Sequence, residues 1–220
     1  MRKISILLMG VMAFSVVGIA RAAVLLDFED MPLPSPPGTY SQTGLNWFVT
    51  DSVKVTLDDF CYSCPPPVCT STGTGANADD SVFPSLPTRN YAGATGIAMH
   101  TNNVNLVFLD PGVLGEPVHF ASFLWGEYGG NVNLEINGDL FCGEDFTLLG
   151  PTLGGASVSV VSFGPTPGGG GELGKVTVTG VIESFKVGGQ EFWIDNVEGV
   201  PEPTTLLLLG LGAVMLRRKR

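Results

Sequence analysis

Few side chains in this 220-residue chain could do chemistry. Cys61, Cys64 and Cys69 fall in a C-x2-C-x4-C cluster, and Cys142 lies far downstream. An even cysteine count implies disulfides if the chain is exported, with three possible connectivities. Our expectation is that Cys142 pairs with one member of the cluster while the other two bond locally. Zinc would want a second closely spaced pair, which His100 and His119 are not placed to supply. A redox Cys-x-x-Cys would need a following helix, whereas Pro65 to Pro67 favour extended polyproline chain.

A second candidate is Phe123-Leu124-Trp125-Gly126-Glu127-Tyr128-Gly129-Gly130. Sugar binding uses an exposed aromatic face with a carboxylate nearby to accept hydroxyl hydrogen bonds. Trp125, Tyr128 and Glu127 could supply both, although strand aromatics are more often core. Alternation puts Phe123 and Trp125 on one face and Leu124 on the other, and by the same argument Trp47 and Trp193 read as core. There is no G-x-S-x-G, H-E-x-x-H or P-loop, so no enzyme is expected. Many carboxylate pairs exist and none stands out, which leaves glycoside hydrolysis as the one enzymatic alternative.

Strands must position these groups. Gly and Pro together supply 46 of the 220 residues, too much punctuation for a helical bundle or a doubly wound α/β domain. Alternation and β-branched content predict about ten short strands with loops between them, an all-β antiparallel sandwich. Candidates run from Val24–Phe28 through Val104–Leu109, Val118–Trp125 and Lys175–Ile182 to Phe192–Val197. The clearest hairpin is Val132 to Phe141, turning at Asn137-Gly138, the pair a type I′ turn favours. Residues 70–90 read as a long polar excursion. Gly164 to Gly174, with four consecutive glycines, reads as a flexible inter-strand loop. No internal repeat is evident.

The two ends are addresses. Residues 1–22 have a basic head (Arg2, Lys3), an apolar middle and an Ala20-Arg21-Ala22 exit, the pattern of a signal peptide cut before Ala23. Signal peptidase and the export machinery are therefore expected partners. Residues 200–220 run Val200-Pro201-Glu202-Pro203, an apolar stretch over 204–216, then Arg217-Arg218-Lys219-Arg220. As a helix, 204–216 would reach about 20 Å, short of the ~30 Å hydrocarbon core, and so would be a weak membrane stop. The four terminal cations hold the extreme end on the cytoplasmic side. Between the ends, residues 23–199 form the passenger. It has four basic side chains (Lys54, Arg89, Lys175, Lys186) against 20 acidic ones, net −16, which excludes nucleic acid as a partner.

That three-part tail resembles the PEP-CTERM sorting signal of Gram-negative, exopolysaccharide-producing bacteria. The resemblance implies recognition by exosortase, a membrane-embedded cysteine protease-transpeptidase. It implies export through the inner membrane, a transient anchor, and delivery to the cell surface or extracellular matrix. The same tail is described as the carboxy-terminal segment of some ice-binding proteins, but Thr-x-Thr spacing in the passenger is confined to short instances such as Thr177-Val178-Thr179, not a regular ladder. The passenger's bracketing segments, Leu26-Asp27-Phe28-Glu29-Asp30 and Phe192 to Val197, resemble those of jelly-roll carbohydrate-binding modules, whose first and last strands lie side by side. That resemblance implies a structural calcium held by Glu29 and Asp195. The expectation is a disulfide-stapled module that associates with exopolysaccharide. A structural passenger without a ligand site is the alternative.

Overall fold

A computed structural model describes residues 23–33, 47–61, 81–85, 92–93, 96–109 and 118–201. The expected signal helix, Cys64, Cys69, Glu202, Pro203, the expected membrane helix and the basic tail lie outside the described residues. Among the described residues no helix is long and apolar enough to cross a membrane.

Strands dominate. In chain order they are β1 (Val24–Leu26), β2 (Trp47–Thr50), β3 (Val53–Asp59), β4 (Ser81–Ser85) and β5 (Ala98–Asn102). Then follow β6 (Val104–Leu109), β7 (Val118–Glu127), β8 (Val132–Ile136), β9 (Asp139–Gly143) and β10 (Thr152–Leu153). The last are β11 (Ala156–Pro165), β12 (Glu172–Ile182), β13 (Phe185–Gly189) and β14 (Phe192–Pro201). One sheet has eight strands in the order β10-β11-β12-β7-β14-β5-β4, with β1 also paired to β14; the other has six, β2-β3-β6-β13-β8-β9. Neighbouring strands in both sheets run antiparallel.

Alternation explains how the two sheets share a core. Phe123 and Trp125 of β7, Val176 and Val178 of β12 and Ile194 of β14 project to one side. They join Val55, Leu106, Leu134, Ile136 and Val187 of the six-stranded sheet in one buried apolar cluster. A 3₁₀ turn, Phe146–Leu148, drives Phe146 into that cluster. Its ring meets Trp125 edge-on at 5.2 Å and Phe192 at 5.8 Å. Asp145 caps the turn by accepting the Thr147 N–H at 2.6 Å.

Several expectations need correction. The polar excursion over 70–90 contains β4, whose Pro84 is tolerated because β4 is an edge strand. β13 carries Gly188-Gly189 and so lacks a strand-like signature, yet it is central in its sheet. Gly188 is required there, because a Cβ would collide with the Val104 carbonyl. Trp47 is 49% exposed rather than core, with the Lys54 ammonium 4.9 Å from its ring centroid. Trp193 is half-buried and meets His100 at 4.4 Å between ring centroids.

Candidate functional site

The expected sugar platform sits at the end of β7. Trp125 is completely buried, pressed against Phe146 and close under Gly174 of β12. It cannot present a face to a sugar, so the reading of Trp125 as a binding platform is wrong. Alternation correctly placed Trp125 with Phe123; the shared face is the core face. The same parity puts Glu127 on that side as well, a signal that sequence reasoning passed over.

Glu127 is 3% exposed. Its Oε1 accepts the Glu172 N–H at 2.8 Å, and Gly171 packs so tightly on it that a Cβ there would collide with its carbonyl and carboxyl oxygens. Oε2 is buried with no hydrogen-bond partner among the described residues. Burial pushes the Glu127 carboxyl up to about 7; the Glu172 N–H pulls the other way, and the charges of Asp145 and Glu172 add to the rise. A carboxyl sealed in this way holds a turn, whereas a general acid must reach the bond it protonates.

The turn it holds is the glycine-rich segment. Instead of a loose loop from Gly164 to Gly174, β11 and β12 extend toward each other. Thr166 N–H bonds to the Gly171 carbonyl at 2.9 Å, and Gly169 N–H to the Thr166 carbonyl at 3.0 Å. Tyr128, one residue past Glu127, lies on the rim of this turn at 41% exposure, with Gly168 and Gly170 against its ring. Of the three residues expected at the platform, Tyr128 alone is open to solvent. A shallow groove also opens elsewhere, lined by Gly138 to Leu140 and Thr152 to Gly155.

The expected calcium ligands lie at the other end of the chain's first strand. Glu29 Oε1 accepts the Ile97 N–H at 2.8 Å, and the carboxylate packs on Gly96. Asp195 is 1% exposed, and its Oδ1 accepts the Asn196 N–H at 2.6 Å. Both carboxylates are engaged by backbone donors. Among the described residues no group of three or more His, Cys, Asp or Glu is arranged to hold a metal ion. A calcium held by Glu29 and Asp195 would therefore need backbone carbonyls or other oxygens to complete its shell.

Next to these, Asp30 organises the β2–β3 hairpin. It accepts the Thr50 hydroxyl at 2.7 Å and the Asp51 N–H at 2.9 Å, while Asp51 and Ser52 both hold positive φ. Neither described cysteine is free. Cys142 Sγ lies 3.6 Å from the Cys61 carbonyl oxygen. With its amide oriented to satisfy both neighbours, buried Asn133, opposite Cys142 in the β8–β9 ladder, accepts the Cys61 N–H at 2.8 Å.

The last functional segment is β14 itself. Between β7 and β5 near its start, and between β7 and β1 near its end, it runs to Val200 opposite Phe120 and Pro201 opposite Val118. The expected pairing of first and last strands is present, with Val24 opposite Gly199. A family model for the PEP-CTERM protein-sorting motif matches residues 199–220, so it begins inside this strand. The chain carries a PEP-CTERM sorting motif. The motif implies an exosortase-sorted cell-surface protein with exosortase as its processing partner. Comparison with curated proteins and with solved structures returns no match. The PEP-CTERM tail thus identifies the route, and the passenger must be read from its own geometry.

Proposed function

We propose that the protein is a non-catalytic surface module: a jelly-roll-like β-sandwich carried to the envelope of a Gram-negative cell and held in its exopolysaccharide matrix. The PEP-CTERM motif, which begins within the last residues of β14, carries this reading. Tyr128 is the aromatic on which sugar contact would rest, since it is exposed beside an acidic, glycine-rich turn. The test is retardation of the oxidised passenger in native gels cast with the host's exopolysaccharide. Tyr128→Ala is expected to abolish retardation. Retardation that persists in Tyr128→Ala moves the site, and unchanged mobility of every form discards glycan association.

A structural passenger with no ligand site is the second reading, favoured by the burial of Trp125 and Glu127. We further propose that Cys61 and Cys142 form the long-range disulfide, leaving Cys64 and Cys69 to bond locally. A bond of this span stabilises by about 2–5 kcal/mol. Non-reducing peptide mapping reads the pairing, and a Cys61–Cys64 peptide would discard it. For calcium at Glu29 and Asp195, a site predicts a higher melting midpoint with calcium than with chelator. Identical midpoints discard it.

A further inference from the structure

A protease takes its substrate as an extended strand, making main-chain hydrogen bonds to residues on both sides of the bond it cuts. A residue already paired within a sheet cannot offer those groups. In this protein the sorting motif and the folded body overlap. The motif match starts at residue 199, while β14 stays in the ladder through Pro201. Gly199 is flanked on both sides, by Val24 of β1 and Ala121 of β7; Val200 faces Phe120, and Pro201 faces buried Val118. The ladder steps irregularly between Val200 and Pro201 but does not open.

We infer that the fold itself sets the upstream limit of exosortase processing. Every bond through the one that follows Pro201 is withheld by the sheet, so the last residue kept lies beyond Pro201. The mature chain keeps all of β14. In the cut one peptide bond breaks. The carbonyl half passes to water or to a primary amine, and the tail leaves with a new amino group. The inference rests on the exosortase reading above and adds to it an upstream limit on where this passenger is severed.

The full chain is expressed in the producing host, with and without its exosortase gene, and the intact mass of the surface form is measured. The expected result is an exosortase-dependent species whose last passenger residue lies beyond Pro201, whatever nucleophile has been added. A second chain carries Gly-Ser-Gly-Ser between Gly199 and Val200, which leaves Val200-Pro201-Glu202-Pro203 intact and moves it clear of the ladder. Pulse-chase conversion of this chain is expected to be several-fold faster. A mature end at or upstream of Pro201 in the natural chain, or equal conversion rates for the two chains, overturns the inference while leaving exosortase as the processing enzyme. An untruncated chain in both strains removes the exosortase reading, and this inference with it.

Discussion

Two buried titratable side chains make opposite demands on pH. Glu127 has its carboxyl raised from 4.5 to about 7 by burial at the foot of the glycine-rich turn. Its folded-state value is above its unfolded one, so its stabilising contribution is complete below pH 4.5 and is lost as the pH rises through 7. His100, 8% exposed against Trp193, has its imidazole lowered by desolvation from 6.5 to about 3. Its contribution is complete above pH 6.5 and is lost as the pH falls toward 3. Between pH 4.5 and 6.5 the two slopes oppose, and the natural protein should show a nearly flat stability there. Glu127→Gln keeps an acceptor for the Glu172 N–H and removes the titration. It should be the more stable protein at pH 8, by about 2–3 kcal/mol, and lose that advantage at pH 5. Urea melts across this range check it; an advantage independent of pH would place the Glu127 charge elsewhere.

Among the elements, the β8–β9 hairpin shows how far sequence reading reaches. Asn137-Gly138 is visible as a turn, and both residues do hold positive φ. What the sequence does not show is that the Asn137 side chain fastens two other segments. Its Nδ2 donates to the Gly154 and Val181 carbonyls at 2.8 Å each, and its Oδ1 accepts the Glu183 N–H at 2.7 Å. Asn137→Gly should retain the turn and lose this latch, at a cost of about 2–3 kcal/mol read from denaturant melts. A cost under about 0.5 kcal/mol would reduce Asn137 to a turn residue. A turn pair is local information, whereas the latch joins positions 17 and 44 residues apart, which no pattern in one sequence encodes. The turn of the β2–β3 hairpin was illegible for a related reason. Asp51-Ser52 lacks glycine, and it holds its left-handed backbone with a distant carboxylate, Asp30. Lys186 is a third case: its ammonium reaches Asp58 at 2.8 Å and Glu135 at 3.2 Å, across strands that are remote in sequence. Burial pulls Lys186 down, but the Asp58 hydrogen bond and charge outweigh it and leave the group raised.

Over the whole molecule, composition and alternation were enough to predict an all-β chain with two antiparallel sheets, because each depends only on nearest neighbours along the strand. The sorting tail was legible for the same reason: it is a contiguous motif. The candidate site was not legible, since alternation says which residues share a face and is silent on which face meets the other sheet. Trp125 and Glu127 were misplaced by that ambiguity. β14 also has a mechanical consequence. A chain tethered by its tail and gripped near Tyr128 is pulled from opposite ends of the paired strands β7 and β14, along their length. Their hydrogen bonds run across that direction, so many must yield together. Pulled instead between residue 23 and the tail, which leave the sheet side by side, β1 peels away one pair at a time. Single-molecule extension with a handle at position 128 should therefore need several-fold more force than extension from the amino terminus. A surface protein fixed at Pro201 would withstand drag on its far end and give way readily only at its first strand.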